Sequence, residues 1–169
     1  MLEIRRKDGF TLIELIVVIS LISIMLGFAI PRLQNSLLTD NARKVSQWII
    51  LTVPSLKEQA LREQKQYVLN MDMNEDRLWV THDAMTEEEV EAASLTGYKL
   101  PSDIHIVDVE YPDSRRLTTG QVQIRFYKKG YSDHVFIHII NSDNEQRSLL
   151  IEPFLPQVKL FESYVTFQA

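Results

Sequence analysis

An acidic residue, Glu14, stands at the start of a long apolar run. From residue 15 to residue 30, Ser20 and Ser23 carry the only polar side chains. A charged group inside a bilayer costs roughly 2.5–3.5 kcal/mol near its centre and less at its interface, so it favours a neutralising partner. We therefore expect either an ion pair at Glu14 or a carboxylate that reaches the lipid headgroups alone.

The residues around Glu14 predict a single membrane crossing. Residues 10–30 form a segment of 21 residues, which as a helix would span about 31 Å, the thickness of a bilayer's hydrocarbon core. In residues 1–8, three basic side chains outweigh two acidic ones, and such an excess keeps a flank cytoplasmic. The chain beyond residue 30 is then expected across the membrane.

The same stretch resembles a known processing signal. The motif reads Lys7-Asp8-Gly9-Phe10-Thr11-Leu12-Ile13-Glu14. A short basic leader, a glycine and this hydrophobic start resemble the class III signal of type IV pilins and type II secretion pseudopilins. The resemblance implies that a prepilin peptidase cleaves between Gly9 and Phe10 and methylates the new N-terminus at Phe10. It also implies assembly roles for Thr11 and for Glu14, whose carboxylate would pair with the N-terminal amine of a neighbouring subunit.

A secretory signal peptide is the alternative for these residues. Gly27-Phe28-Ala29 has the small-x-small pattern of a cleavage site after an apolar core. Two features oppose it, because the apolar run exceeds the usual core of about 7–15 residues and Glu14 would interrupt it. We therefore favour the class III signal.

The composition favours one domain behind the N-terminal helix. The chain has 169 residues, 45% hydrophobic and 24% charged, and needs no second domain. Residues 1–9 hold three basic and two acidic side chains, so their removal turns 18 basic and 23 acidic residues into 15 and 21, a net charge of −6. This balance argues against nucleic-acid binding. There is no cysteine, and the absence of the C-terminal disulfide loop usual in major type IV pilins favours a pseudopilin or a minor subunit.

Beyond Pro31 the helical pattern continues to residue 66 but becomes amphipathic. Apolar residues recur at steps of three and four, which predicts one face packed on a sheet and one polar face that includes Lys57. Pro31 and Pro54 each remove a helix donor, and we expect a bend at both. Pro31 also stands where the resemblance implies a helix-bending proline. The alternative at Pro54 is that one helix ends near Thr52 and another begins.

A β-rich part begins at Tyr67, where the apolar period changes to two. A hairpin and five further strands are predicted, at residues 67–73, 77–81, 104–111, 121–127, 134–140, 148–152 and 158–167. The expected fold class is therefore α+β. A long N-terminal helix, with a membrane half and an amphipathic half, would pack on an antiparallel sheet or small β-sandwich.

Residues 83–97 predict an insertion between strands. Thr86 and Glu89 have the spacing of a capping box, and Gly97 suits the end of a short helix. The insertion is either a solvated surface element or a docking site for a partner, and the sequence leaves both open.

The predicted turn between the strands at residues 67–73 and 77–81 partly matches a calcium-binding loop. Asp72, Asn74 and Asp76 are spaced like the start of a calcium loop, but Arg77 stands where that loop requires glycine. A polar hairpin turn is therefore predicted.

Two histidines also have the spacing of metal ligands. His134 and His138 have an i, i+4 spacing, yet on a strand they stand roughly 13 Å apart, so we predict that both face outward. There is no Gly-x-Ser-x-Gly motif, phosphate loop or cysteine nucleophile. We therefore expect no catalysis, no cofactor and no metal.

Four segments of the β-rich part match one branch of the family. They are Tyr67-Val68-Leu69 with Leu78-Trp79-Val80, Leu100-Pro101, and Ile124-Arg125-Phe126-Tyr127-Lys128-Lys129-Gly130. With these segments the chain resembles the H-type (GspH/FimT-like) minor pseudopilins of type II secretion systems. Residues 48–54 depart from the small-residue pattern usual in the family helix, which leaves the helix path near Pro54 open.

The resemblance implies a structural subunit of an envelope filament. The domain order would be a cleaved leader (1–9), a transmembrane and assembly helix (10–30), its amphipathic continuation (31–66) and a periplasmic part (67–169). The chain would sit in the bacterial inner membrane and join the tip of a periplasmic pseudopilus. Implied partners are the prepilin peptidase, the major and other minor pseudopilins, the inner-membrane assembly platform and exported cargo. The alternatives are a minor pilin of a type IV pilus and an anchored periplasmic binding module that never polymerises.

Overall fold

The computed structural model describes residues 12–167, and the side chains of residues 12–25 and 41–167. It confirms the predicted α+β arrangement of one long helix followed by short antiparallel strands. The elements are, in order, α1 (Leu12–Glu63), β1 (Tyr67–Asp72), β2 (Arg77–His82), α2 (Glu87–Leu95), β3 (Tyr98–Lys99), β4 (Ile104–Glu110), β5 (Arg116–Leu117), β6 (Gln121–Phe126), β7 (Val135–Asn141), β8 (Gln146–Ile151) and β9 (Lys159–Phe161).

The chain divides into two compact units, residues 1–37 and residues 38–169. α1 is one helix that runs through Pro31 and Pro54, so the alternative of a helix end near Thr52 is wrong. Val53 and Leu56 are buried next to Pro54, and this packing offsets the hydrogen bond that the proline removes. A bend at either proline remains a prediction.

In the second unit, α1 buries one stripe of side chains. The stripe recurs every three to four residues and comprises Ala42, Val45, Ile49, Val53, Leu56 and Ala60. These residues share a single hydrophobic core with apolar side chains from both sheets described below. The predicted packing of an amphipathic helix on a sheet is therefore confirmed.

The strands form two antiparallel sheets. Sheet A has the order β3-β2-β1-β6, and sheet B has the order β5-β4-β7-β8-β9. The predicted hairpin is confirmed as β1 paired with β2. β3 and β5 are absent from the prediction, because a strand of two residues has no alternation to detect.

The strand predicted at residues 158–167 is wrong over most of its length. Only β9 pairs with β8, and residues 162–167 leave the ladder. Their hydrogen bonds reach side chains on the face of sheet B that points away from the core. We call residues 162–167 the C-terminal strap and that face of sheet B the outer face.

Candidate functional site

The predicted processing site lies outside the described residues, which holds for Gly9, Phe10 and Thr11. Glu14, the predicted assembly residue, lies in the first turn of α1.

Residues 12–25 of α1 present an almost wholly apolar surface. Their large apolar side chains are 41–77% exposed. The hydroxyls of Ser20 and Ser23 donate at 2.8 Å to the carbonyl oxygens four residues earlier, so these donors are already used. A surface of this kind fits lipid or other apolar helices better than water. Within residues 12–167, no helix reaches the combined length and apolarity of a membrane span.

The outer face of sheet B holds a buried polar cluster that corrects one prediction. His138 is 0% exposed and does not face solvent. Its Nδ1 lies 2.7 Å from Oδ1 of Asp108, and its Nε2 lies 2.8 Å from the carbonyl oxygen of Val165 in the strap. His134 is half-buried, with its ring edge-on to Phe167 at 4.6 Å between centroids. The strap therefore covers a face that strand alternation alone leaves open to water.

A β-bulge in β4 positions Asp108. Ile106 pairs with Ile139 and Asp108 pairs with His138, so β4 advances two residues where β7 advances one. The extra residue reverses the alternation, because Ile106 and Val109 both belong to the core. Asp108 is thereby turned to the outer face, beside the histidine.

β8 adds Ser148, which pairs with His138 across the sheet. Asp108, His138 and Ser148 thus occupy three neighbouring strands, and these residue types can perform acyl transfer in another arrangement. Here the hydroxyl of Ser148 donates to the carbonyl oxygen of Ser163 at 2.8 Å and accepts from the N–H of Val165 at 2.9 Å. The serine and the histidine both hold the strap, so this geometry supports a structural role.

Tyr164 and Arg116 complete the cluster. The Tyr164 hydroxyl donates to Oδ2 of Asp108 at 2.8 Å, and burial together with this hydrogen bond raises the pKa of Tyr164 to about 12. Arg116 donates from Nη2 to Oε1 of Glu110 at 3.3 Å, and its Nε lies 3.9 Å from Oδ1 of Asp108. The hydrogen bond to Glu110 raises the pKa of Arg116. Both Tyr164 and Arg116 therefore keep their protons at neutral pH.

The carboxylates between β1 and β2 hold a turn, as predicted. Oδ1 of Asp72 accepts from the N–H groups of Asn74 and Glu75 at 3.0 and 3.1 Å. Oδ2 of Asp76 lies 2.6 Å from Nδ1 of His105. Among the side chains that the structure describes, no three His, Cys, Asp or Glu residues converge as metal ligands.

Lys57 is buried and ties α1 to the loop after β8, so its predicted place on a polar face is wrong. Its ammonium donates to the carbonyl oxygens of Glu152, Pro153 and Leu155 at 2.5, 3.3 and 2.6 Å. Burial lowers the pKa of Lys57, and the carboxylate of Glu152 opposes that shift. No local pattern reveals this clasp, because the loop begins 95 positions later in the chain. For Asp108, by contrast, the sequence offers an indication of a special role, because an acidic residue stands inside a predicted strand.

α2 begins with the predicted capping box. The N–H of Thr86 donates to Oε2 of Glu89 at 2.8 Å, and the N–H of Glu89 donates to the hydroxyl of Thr86 at 3.3 Å. Beyond its end, Gly97 lies so close to β2 that a Cβ there would stand 2.7 Å from the carbonyl oxygen of Leu78. α2 has no buried residue, and a docking role for residues 83–97 remains a prediction.

Comparisons with known proteins agree with this architecture. The family described as the prokaryotic N-terminal methylation motif matches residues 4–30. Two solved structures of the minor pseudopilin EpsH from the type 2 secretion system of Vibrio cholerae share the fold, each with a TM-score of 0.56 and 13% sequence identity. The similarity covers 75% and 74% of this chain and 99% and 98% of those chains. No curated protein matches the sequence significantly.

The motif and the fold are two separate similarities. The methylation motif occupies the N-terminal residues, and the EpsH-like fold accounts for three quarters of the whole. The predicted pilin-like fold is thereby confirmed. The chain therefore combines a match to the prokaryotic N-terminal methylation motif with the fold of the minor pseudopilin EpsH.

Proposed function

We propose that this chain is a structural minor pseudopilin, without enzymatic activity, that acts in tip assembly of a type II secretion pseudopilus and so in protein export. One combined observation carries the proposal, namely an N-terminal methylation motif on a chain with the fold of EpsH. The exposed apolar surface of residues 12–25 supports it, because such a helix needs lipid or other helices around it.

The proposed maturation starts in the bacterial inner membrane. Residues 10–30 cross it once, with residues 1–9 in the cytoplasm and the β-rich part in the periplasm. A prepilin peptidase cleaves between Gly9 and Phe10 and methylates Phe10. The mature chain then enters the filament through the inner-membrane assembly platform and contacts the major and other minor pseudopilins, with exported cargo as a further partner.

Glu14 is the proposed assembly residue, with Thr11 close to the new N-terminus. A carboxylate and an amine in an apolar setting relieve each other's desolvation cost, so Glu14 would set the register against the N-terminal amine of a neighbour. We expect Glu14→Leu to leave processing intact and to reduce co-purification with the other pseudopilins strongly. Ser20→Ala, on the same helix, is the matched control and should assemble normally. Normal assembly of the Glu14→Leu chain would remove the pairing role.

A gene deletion, complemented in trans, tests the proposed function. Exported protein in the medium and pilus-dependent motility are scored in parallel. Loss of secretion with intact pili is the expected result. Loss of motility or surface pili with normal secretion would contradict it and favour a minor pilin of a type IV pilus. No change in either would favour an anchored periplasmic binding module, which would also keep its leader uncut.

A further inference from the structure

Both ring nitrogens of His138 face hydrogen-bond acceptors. A neutral imidazole carries only one N–H group, so it cannot donate to both. The carbonyl oxygen of Val165 can only accept a hydrogen bond, so Nε2 must donate to it across 2.8 Å. An ionised Asp108 also only accepts, so Nδ1 must donate to its Oδ1 across 2.7 Å. With both nitrogens as donors, the ring is an imidazolium.

The charge balance of the cluster favours the same protonation state. Asp108 and Glu110 are both buried on β4, and Oε2 of Glu110 has no hydrogen-bond partner within residues 12–167. Arg116 supplies one positive charge beside them. A cationic His138 supplies the second, so that two carboxylates face two cations. A neutral ring would leave one buried negative charge without compensation, which is costly in a protein interior.

Two aromatic rings stack against the imidazole. Tyr164 from the strap stacks on it at 4.1 Å between centroids, and Phe136 of β7 lies on it at 5.6 Å with an interplanar angle of 17°. The faces of aromatic rings are negative and attract a cation placed over them. The two stacked rings therefore favour the charged imidazole over the neutral one.

If His138 lost one proton, it would lose its hydrogen bond to the strap and keep its hydrogen bond to Asp108. Asp108 still needs a donor, so the remaining proton of a neutral ring stays on Nδ1. The bare Nε2 then faces the carbonyl oxygen of Val165, and two acceptors at 2.8 Å repel. The strap would keep its bonds with Ser148 and the bond from its own Tyr164 hydroxyl to Asp108, but it would lose the one that His138 donates.

We propose that His138 is a buried imidazolium that acts as a proton-dependent latch, holding the C-terminal strap while it carries both protons and loosening it when one is lost. The groups that face it are Asp108 and Glu110 of β4, Arg116 of β5, the neutral Ser148 of β8, and Tyr164 of the strap. Loosening the strap would uncover Phe136, which is 3% exposed when the strap is in place. The latch goes beyond the proposed function and does not depend on it.

Hydrogen exchange of the strap in the full chain in detergent tests the latch. Exchange of residues 162–167 is compared at about pH 5.5 and about pH 8.5, and is corrected for the intrinsic pH dependence of exchange. Loss of a charge-assisted hydrogen bond corresponds to roughly tenfold weaker protection at the higher pH. Equal protection at both values, with nitrogen chemical shifts showing that His138 loses a proton between them, would overturn the latch.

The Asp108→Asn variant tests the effect of the second proton on His138 while the size of the side chain at position 108 is kept. An asparagine amide can donate to Nδ1, so a neutral ring could then donate from Nε2 to Val165 at either pH. We expect this variant to keep the strap protected at both values, whereas His105→Gln, which removes an exposed histidine bonded to Asp76, should behave as the wild type. A pH response in Asp108→Asn like that of the wild type would contradict the proposal.

A measurement on the wild-type chain tests the protonation state of His138 even if the Asp108→Asn variant does not fold. Nitrogen chemical shifts of His138 in the isotope-labelled wild-type chain report how many protons the ring carries. Two protonated nitrogens at about pH 5.5 are expected. A singly protonated ring at that pH would overturn the latch by itself.

Discussion

The two described portions of α1 place their apolar residues in opposite settings. In residues 12–25 apolar side chains surround the helix and are exposed, with Ile16 at 55%. In residues 41–63 one stripe of apolar residues is buried, with Ile49 at 1% exposure, and most of the remaining side chains are polar. The amphipathic portion packs its apolar stripe against the sheets of the same chain. Residues 12–25 have no continuous polar face for water, so their surface fits lipid or other apolar helices better than water.

We therefore expect the two regions to contribute to different processes, namely folding and assembly. Substitutions in the amphipathic portion of α1 and in the sheets should change the free energy of unfolding. Those in residues 1–25 should change processing or assembly and leave unfolding unaltered.

Gly9→Val should have the largest effect, a complete loss of processing. The resemblance implies cleavage after a glycine, and a branched side chain at this position would block the peptidase. The uncut precursor should appear on a gel as a larger band, while the neighbouring Asp8→Asn should mature normally. A mature band of unchanged size from Gly9→Val would refute the cleavage site.

A matched pair of isoleucines tests the comparison directly. Ile49→Ala should lower the free energy of unfolding by about 2–5 kcal/mol, because it leaves a cavity in the core. Ile16→Ala should leave that free energy unchanged, since its side chain is exposed. Denaturant unfolding of the two variants in detergent gives both values. Equal losses would mean that residues 12–25 also take part in the fold.

Lys57→Met should have a smaller effect within the second unit. The methionine keeps the apolar stem but leaves three carbonyl oxygens without their donor, at a cost of about 1–3 kcal/mol. The loop after β8 should also exchange its amide hydrogens faster. The exposed Lys129→Met is the control, and a similar loss there would show that the clasp adds nothing.

Thr86→Ala should have the smallest effect on stability, about 1 kcal/mol and local to α2, because it removes the N-cap. Amide exchange in residues 87–95 is the measurement. Global unfolding should hardly change, since α2 buries no residue.

Acid should weaken the same cap. The hydrogen bonds from Thr86 lower the pKa of Glu89 below its ordinary value of 4.5. A lowered pKa means that this stabilisation is complete above pH 4.5 and disappears as the pH falls through the folded value. The difference in α2 exchange between the wild type and Glu89→Gln should therefore vanish in acid. A difference that persists there would contradict the carboxylate's role.

Much of the fold could be predicted because its signals are local. Periodicity of three to four residues marked α1, alternation marked the main strands, and the spacing of Thr86 and Glu89 marked the start of α2. Each of these patterns arises from neighbours within one turn or one strand. The two-residue strands β3 and β5 carry no such pattern.

The polar cluster could not be predicted, because its members meet only in the folded chain. His138 lies 30 positions from Asp108 and 27 from Val165. A single bulge decides which face Asp108 occupies, and without it the carboxylate would point into the core. A spacing in sequence cannot reveal a change of face that depends on pairing with another strand.

The sequence by itself determined the N-terminal motif, the contrast between an apolar and an amphipathic helix, and the α+β class, since all three follow from residue type and short-range period. The tertiary structure alone decided that Lys57 is buried, that His138 is covered, and that residues 162–167 form a strap instead of a strand. The physical reason is that burial of a charged or polar group depends on whether distant backbone carbonyls and carboxylates arrive to satisfy it.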